Sequence, residues 1–143
     1  MKQKEEWAIK SEFYTLKGYK LKENNYITES MEDYIEMIYR KVKNKYITIK
    51  ELSENLNVKA SSVSKMANKL KELNLVNFEK YGKIILTNEG FILGKYLLHR
   101  HNILKKFFKK LNKDKYNLEQ VEKVEHFLDV DTIYNIEKLV SKI

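Results

Sequence analysis

The chain has 143 residues, 43% hydrophobic and 34% charged, as is typical of a folded protein with a large polar surface. The absence of cysteine excludes disulfides and thiolate-ligated zinc or iron–sulfur sites, and no apolar stretch approaches the ~20 residues of a membrane span. The net charge of +8 favours a polyanionic partner, and the N-terminus lacks the apolar core of a signal peptide, so we expect a cytoplasmic protein without membrane contacts.

Residues that interrupt helices are rare, with four glycines and no proline, which predicts a mostly helical chain. Residues 1–28 mix charged side chains with aromatic ones, a composition that argues against a solvated tail. We therefore expect residues 1–28 to form an arm or short helix that packs on the main body. Its aromatic residues are Trp7, Phe13, Tyr14, Tyr19 and Tyr26.

The first strong helix is predicted over residues 30–43. Ser30 followed by Asp33 resembles a capping box at its start, and apolar residues recur on one face. These residues are Met31, Tyr34, Ile35, Ile38, Tyr39 and Val42. Asp33 and Glu36 lie one turn apart beside this face, where a pair of acids is ordinarily surface charge.

A compact series of short elements follows. They are a helix over 49–56, a turn over 57–59, a helix over 60–73 and strands over 76–79 and 84–86. Thr48 is expected to cap the first of these helices, and Gly82 marks the turn of a β-hairpin. The second helix should direct Val63, Met66, Ala67, Leu70 and Leu73 inward.

This order of elements is that of a winged helix-turn-helix, whose second helix enters the major groove of DNA. The predicted contacts are small polar and basic side chains on the two helices and the hairpin. They are Lys50, Lys59, Ser61, Ser62, Ser64, Lys65, Asn68, Lys69, Lys80 and Lys83. Lys65 and Asn68 can reach bases, whereas the remaining lysines would meet phosphates. The alternatives are a solvated, serine-capped helix face and a winged helix that binds protein.

Three further helices are predicted: one capped by Thr87 and ending near Leu111, one capped by Asn117 over 118–128, and a last one starting at Asp131. His101 shares a helix face with apolar residues at spacings of three, four and seven. These residues are Leu97, Leu104 and Phe108. A lone histidine in such a position is ordinarily a core residue whose nitrogens find protein partners.

Glu122, Glu125 and His126 are expected to cluster on one flank of the helix over 118–128. Carboxylates gathered at the edge of a core repel one another unless a cation neutralises them. Together with His101 and the acidic pair of the first helix, they predict a metal site built from three helices. Oxygen and imidazole donors without sulfur suit Mn²⁺ or Fe²⁺, and six side chains are enough for two ions with bridging carboxylates.

Four segments carry a resemblance to a known family. They are Ser30-Met31-Glu32-Asp33-Tyr34-Ile35-Glu36, Ser61-Ser62-Val63-Ser64-Lys65-Met66, Arg100-His101 and Glu122-x-x-Glu125-His126. In combination and order they resemble the diphtheria toxin repressor family, and within it the manganese transport regulators, over about residues 28–141. Family members often have proline where this chain has Ala60.

The resemblance implies a mainly α-helical, homodimeric, metal-activated repressor of metal-uptake genes that binds a double-stranded and palindromic operator. It divides the chain into an arm (1–28), a winged helix domain (29–88) and a helical metal-binding and dimerisation domain (89–143). Iron-responsive relatives carry Met and Cys at the positions of Asp33 and Glu122, and an additional SH3-like domain. The carboxylates present here favour two Mn²⁺ per subunit held by Asp33, Glu36, His101, Glu122, Glu125 and His126, with Fe²⁺, Co²⁺ or Zn²⁺ as alternatives.

Two other functions remain open at this point. The first is a regulator of the same fold that responds to iron or zinc, or to no metal, which metal-dependent operator binding would distinguish. The second is a di-metal carboxylate oxidase. Such enzymes use paired Glu-x-x-His motifs in a four-helix bundle. This sequence lacks the pair, and an oxidase would leave the DNA-binding segment unexplained, so we do not expect an enzyme.

Overall fold

The computed structural model describes residues 27–42, 45–115 and 117–143. The helices are α1 (Glu29–Lys41), α2 (Ile49–Leu56), α3 (Ala60–Glu72), α4 (Asn88–Leu111), α5 (Leu118–Val124) and α6 (Val130–Lys142). The strands are β1 (Ile47–Thr48), β2 (Val76–Glu79) and β3 (Lys83–Leu86), and short 3-10 turns cover Lys80–Gly82 and Glu125–Phe127. The prediction of a mainly helical chain is confirmed. The arm predicted over residues 1–28 lies outside the described residues, apart from its last two.

The N-terminal half is a winged helix-turn-helix, as predicted. Helix α2 begins after Thr48, whose side chain caps it, and ends at Asn57 in the left-handed region (φ 55°), so that the chain turns into α3. The three strands form an antiparallel sheet in the order β1-β3-β2. Strand β3 is the centre of this sheet, because Ile84 pairs with Ile47 on one side and Phe78 on the other. The β2–β3 hairpin is the wing.

Two hydrophobic cores are present among the described residues, and α4 runs through both. The larger core joins α1 to the helix-turn-helix, the sheet and the first half of α4. Its buried residues are Tyr34, Ile35, Ile38, Ile47, Leu52, Val63, Ala67, Leu70, Leu75, Val76, Ile84 and Leu97. The smaller core joins the second half of α4 to α5 and α6 through Ile103, Leu104, Val121 and Ile133. Helix α4 is therefore the shared support of the DNA-reading half and the C-terminal half.

Two glycines let α4 approach its neighbours closely. A Cβ atom on Gly94 would lie 2.6 Å from the Tyr39 Cβ of α1, and one on Gly90 would lie 2.0 Å from the Leu75 carbonyl oxygen. Because neither separation is sterically possible, both positions require glycine in this packing. The edge-to-face contact of Tyr39 with Phe91 closes the same α1–α4 interface at a ring-centroid distance of 5.2 Å. The acidic residues of α1 are thus held in a fixed relation to α4.

Several local predictions were wrong at the ends of helices. Thr28, not Ser30, caps α1 by accepting a hydrogen bond from the Met31 N–H. The last helix begins at Val130, one residue before the predicted start, and Asp129 caps it by accepting a hydrogen bond from the Thr132 N–H. The helix predicted over 118–128 ends at Val124 and tightens into the 3-10 turn. In α3, Leu73 lies beyond the last helical residue and is exposed rather than inward-facing. A residue just past a helix end leaves the helical periodicity, which explains this last difference.

Candidate metal centre and DNA-binding surface

Five of the six predicted metal ligands meet where α1, α4 and the 3-10 turn over Glu125–Phe127 come together. They form two groups of potential donor atoms, each with all its atoms within 4.8 Å of one another. One group is Asp33, Glu125 and His126, and the other is Glu36, His101 and Glu125. Glu125 belongs to both groups and is almost fully buried, so its carboxylate is common to the two sets of donors.

The 3-10 turn explains why Glu125 and His126 enter the cleft while Glu122 does not join either group. Successive residues rotate by a larger angle in a 3-10 turn than in an α-helix, so the single flank predicted for all three residues is broken after Val124. Glu125 becomes buried and His126 is half-buried, whereas Glu122 stays exposed on α5. Glu122, Glu125 and His126 nevertheless line one cleft together, so Glu122 stays a predicted ligand.

An open cleft of about 530 Å³ lies over these groups, and Glu122 lines it. The other lining residues come from α1, from α5 and its following turn, and from the end of α2. They are Glu29, Asp33, Glu36, Met37, Arg40, Asn55, Leu56, Glu119, Lys123, Glu125 and His126. The cleft therefore borders the first helix of the helix-turn-helix as well as the C-terminal half.

Ion pairs partly neutralise the acidic cluster. His101 Nδ1 lies 3.0 Å from a Glu125 oxygen, and Glu36 pairs with Arg40 one turn further along α1. His126 lies between two carboxylates, with Nδ1 2.8 Å from Glu32 Oε1 and Nε2 3.1 Å from Asp33 Oδ1. The imidazoles thus take up part of the charge that Asp33, Glu36 and Glu125 would otherwise leave unbalanced.

The pKa values reflect this crowding. Burial raises the pKa of the Glu36 carboxyl, and the neighbouring Glu125 raises it further, against the lowering effects of Arg40 and His101. Burial alone would lower the pKa of His126, but hydrogen bonds and charges from Asp33 and Glu32 raise it to about 9. A raised carboxyl pKa and a histidine held as a cation both indicate a site that favours added positive charge.

The donor set fits a divalent cation. Carboxylate and imidazole donors without thiolate are ligands for hard and borderline ions, and the two groups of donors share the Glu125 carboxylate. The partial burial of the donors adds to the fit, because a cation would compensate the unfavourable burial of Glu36 beside Glu125.

Sequence reasoning missed Glu32 and Arg100. Arg100 is 3% exposed on α4, and its NH1 and NH2 nitrogens lie 3.3 and 3.4 Å from the Glu32 oxygens. The resemblance motifs contained both residues, but nothing in their spacing shows that positions 32, 100 and 126 meet. A buried charge on an apolar helix was the only local signal available, because it requires a partner.

The predicted DNA contacts on the helix-turn-helix face outward. Ser61, Lys65 and Asn68, at spacings of four and three, share one exposed face of α3, while Val63, Ala67 and Leu70 bury the opposite face. Lys50, Lys59, Ser62 and Lys69 are also exposed, and Ser64 is half-buried. The N-cap residue of α3 is Lys59, and no side chain accepts a capping hydrogen bond there. The serines of the first turn of α3 are therefore not N-caps.

The wing places its two predicted contacts in different surroundings. Lys80 is exposed at the tip, whereas Lys83 is half-buried and its Nζ lies 4.5 Å from the centroid of the Tyr46 ring, a cation–π contact. Between them Tyr81 is 91% exposed with a positive φ of 64°, so its ring points away from the protein. Sequence reasoning did not single out Tyr81.

Among residues 27–42, 45–115 and 117–143, none of the helices combines the length and apolar character that a membrane crossing requires.

Known proteins match the chain over most of its length. The family model for the iron-dependent repressor N-terminal DNA-binding domain matches residues 26–84. The HTH-type transcriptional regulator MntR of Bacillus subtilis (strain 168) is 39% identical over 116 residues, which cover 80% of this chain and 82% of that protein. MntR of Bacillus pumilus (strain SAFR-032) is 40% identical over 80% of this chain and 81% of its own.

Solved structures share the fold. The structure described as that of the manganese regulator SloR superposes with a TM-score of 0.68 at 26% identity over 79% of this chain. This chain spans 54% of that longer protein. A manganese-dependent transcriptional repressor in complex with manganese gives a TM-score of 0.66 at 24% identity, which shows the common fold. The chain thus belongs to the diphtheria toxin repressor family, and it is a metal-dependent, DNA-binding transcriptional repressor and not an enzyme.

Proposed function

We propose that Mn²⁺ is the activating metal and that the repressor controls manganese uptake and homeostasis genes. The observation that carries the proposal is the pair of donor groups sharing Glu125, built from carboxylates and imidazoles alone. Oxygen-rich donors suit Mn²⁺, and a site without thiolate or thioether gives softer ions no special advantage. The structural neighbour SloR is a manganese regulator, which supports the same metal.

Two ions per subunit are proposed, with Glu125 as the shared ligand. Asp33 and His126 would serve one ion, Glu36 and His101 the other, and Glu122, which lines the same cleft, would be a further donor. When bound, the ions would supply positive charge to this acidic cleft. Fe²⁺, Co²⁺ and Zn²⁺ are the competing occupants, because raw affinity generally rises from Mn²⁺ towards the later metals.

The operator would be read by α3 in the major groove. Lys65 and Asn68 would contact base edges, and Ser61, Ser62 and Ser64 would approach bases or phosphates closely because their side chains are small. Lys50, Lys59, Lys69, Lys80 and Lys83 would contact phosphates. Residues 29–88 would be the DNA-reading domain and residues 89–143 the metal-binding and dimerisation domain.

A homodimer is proposed from the exposed apolar surface of the C-terminal half. Helices α5 and α6 and the adjoining segments expose large apolar side chains that a monomer would leave in water. They are Leu118, Phe127, Val130, Tyr134, Leu139 and Ile143. A two-fold dimer presents its two recognition helices about one DNA turn apart, ~34–36 Å, or a multiple of it, which calls for a palindromic operator. DNA as the partner makes the cytoplasm the proposed location.

Helix α1 would couple the cleft to the DNA-reading domain. One face carries Asp33 and Glu36 into the cleft, and the opposite face buries Ile35 and Ile38 in the core shared with the helix-turn-helix. Metal bound jointly by donors on α1 and by donors on α4 and the 3-10 turn would fix the DNA-reading domain against the C-terminal half. The population with operator-competent spacing would then rise.

Operator binding measured with and without metal tests the proposal. We expect Mn²⁺ to raise operator affinity about 5- to 150-fold, the usual span of a coupling free energy between two sites. A parallel series with Fe²⁺, Co²⁺ and Zn²⁺ at matched free concentrations ranks the competing metals. Operator binding that ignores every metal, or that responds to Zn²⁺ and not to Mn²⁺, would refute the manganese proposal.

The oligomeric state distinguishes coupling from assembly. We expect a dimer both without metal and with Mn²⁺, because the proposed contacts lie in the C-terminal helices. Sedimentation at matched protein concentration measures this. A monomer that becomes a dimer on loading would mean that metal acts through assembly and would overturn the role given to α1.

A further inference from the structure

We infer that Glu32 is a positioning residue of the metal site, held by Arg100 and acting on His126. The inference rests on the proposed function, since it concerns a residue that supports the proposed ligands. It assigns a role to an acidic side chain that belongs to neither donor group, although it neighbours Asp33 in the sequence.

Arg100 anchors the Glu32 carboxylate. The guanidinium is 97% shielded from solvent on α4, and its two terminal nitrogens each contact one Glu32 oxygen, at 3.3 and 3.4 Å. This ion pair with Glu32 compensates the buried charge, while Arg100 Nε has no hydrogen-bond partner within the part of the chain that the structure describes. A two-point contact with a buried group leaves a carboxylate little freedom to rotate.

Glu32 in turn fixes the His126 ring. Its Oε1 lies 2.8 Å from His126 Nδ1, which directs Nε2 towards Asp33 Oδ1 at 3.1 Å. An imidazole whose Nδ1–H donates to a carboxylate has only Nε2 left to act as a ligand, and its ring plane is set by that hydrogen bond. The chain Arg100–Glu32–His126 therefore aims one defined nitrogen into the cleft.

The three residues also belong to three different elements of the fold. Glu32 lies on α1, Arg100 on α4 and His126 in the 3-10 turn after α5. The contacts Glu32–Arg100 and Glu32–His126 span 68 and 94 residues of sequence. Glu32 thus links α1 to α4 and to the 3-10 turn, and it orients the His126 ring so that Nε2 is in position before a metal binds.

The test isolates the Glu32–His126 contact from the buried arginine. Removing Glu32 alone would leave Arg100 buried and unpaired, which by itself destabilises a protein. Glu32→Ala and Glu32→Gln are therefore compared both with Arg100 retained and in the Arg100→Met background, whose own loss of Mn²⁺ affinity measures the anchoring by Arg100. The matched control is Glu137→Ala, because Glu137 pairs with His99 at 3.2 Å on the exposed α4–α6 surface, away from the cleft.

Two measurements are made on each variant. Calorimetric titration with Mn²⁺ gives the affinity, and NMR of the protein loaded with diamagnetic Zn²⁺ follows the Nδ1–H of His126. We expect Glu32→Ala to weaken Mn²⁺ binding about 10- to 100-fold and to abolish the slowly exchanging Nδ1–H signal. Glu32→Gln, which keeps a neutral acceptor, should retain the signal and lose less affinity, and Glu137→Ala should change neither.

A purely structural role would lower the melting temperature of Glu32→Ala and leave the Nδ1–H signal in place, which overturns the inference. Unchanged Mn²⁺ affinity in Glu32→Ala would also overturn it while leaving the proposed function intact. Absence of Mn²⁺ uptake by the unaltered protein would overturn both. If the Arg100→Met background does not fold, Glu32→Gln with Arg100 retained decides: a retained Nδ1–H signal with a modest loss of Mn²⁺ affinity sustains the inference, and unchanged affinity, with or without the signal, overturns it.

Discussion

The metal cleft and the DNA-reading surface use charged side chains in opposite ways. At the metal site, His101 and Glu125 are buried and pair with each other, and the buried Arg100 pairs with the Glu32 carboxylate. On α3 and the wing, Lys65 and Lys80 extend into solvent from elements whose apolar faces are buried elsewhere. The cleft is preassembled by the fold, whereas the DNA surface is left to be satisfied by its partner.

This difference predicts how each region tolerates change. Within the cleft, removal of one member leaves other buried charges without compensation, so its residues act as a unit. On the DNA surface each exposed side chain is close to independent of the others. Substitutions in the cleft should therefore have larger and less additive effects than those on α3 and the wing.

Glu125 offers the largest expected effect. Because Glu125 is common to both donor groups and Glu122 to neither, Glu125→Ala should weaken binding of both ions by more than the ~100-fold upper end for outer-shell partners. Glu122→Ala, and equally His101→Ala, should weaken binding strongly but leave part of the stoichiometry. EPR titration with Mn²⁺ measures all three, with circular dichroism melts to exclude unfolding. If Glu125→Ala bound as many Mn²⁺ ions per subunit as the unaltered protein, Glu125 would have no role as a shared ligand.

The contrast between the two regions also explains what the sequence could predict. The helix-turn-helix and wing carry their signals locally: periodicity within residues 47–86, with turn and cap signals at Gly82 and Thr48, was enough to predict them. The cleft was predicted by ligand type and by the family motifs rather than by spacing.

What the sequence could not predict in the cleft depends on tertiary contacts and on one local transition. The tightening of the chain at Glu125 redirects Glu125 and His126 relative to Glu122, and no residue in the segment signals it. The Glu32–Arg100–His126 chain joins positions far apart in the sequence. The expectation that the acidic side chains simply repel without metal was incomplete, because Arg40 and the two histidines partly neutralise them.

Asn68 should give the next largest effect. It is exposed on the face of α3 that would meet bases, and loss of a good bidentate base contact costs ~1–3 kcal/mol of discrimination. Asn68→Ala should therefore reduce the preference for operator over unrelated DNA, and Lys65→Ala should do the same. Asn102→Ala on α4, where the asparagine is equally exposed but far from the helix-turn-helix, is the matched control. Gel-shift titrations against operator and scrambled DNA measure this preference. An equal loss of affinity for both DNAs in Asn68→Ala would contradict the assignment.

Asp33→Met should change metal preference by a smaller amount. Asp33 is the most exposed of the grouped donors, and a thioether replaces its hard, charged oxygen with a soft and neutral donor. The operator response should shift towards Fe²⁺ or Co²⁺ by about tenfold relative to Mn²⁺, equivalent to about 1.4 kcal/mol. Glu119→Met, an exposed acid that lines the same cleft, provides the comparison. A Mn²⁺ preference unchanged in Asp33→Met would remove Asp33 from the ligand set.

The wing lysines should give the smallest effect and the finest test of the independent, exposed character of the DNA surface. Lys80 is free to meet a phosphate, so Lys80→Ala should weaken all DNA sequences alike and reduce the slope of log affinity against log salt by about 1 unit. Lys83 is already engaged with the Tyr46 ring and half-buried, so Lys83→Ala should change the slope less and the melting temperature more. Salt titrations of operator binding, run beside thermal melts, distinguish the two lysines. A specificity change in Lys83→Ala, with none in Asn68→Ala, would mean that the wing rather than α3 reads the operator, and the division between base-reading and phosphate-binding residues would be reversed.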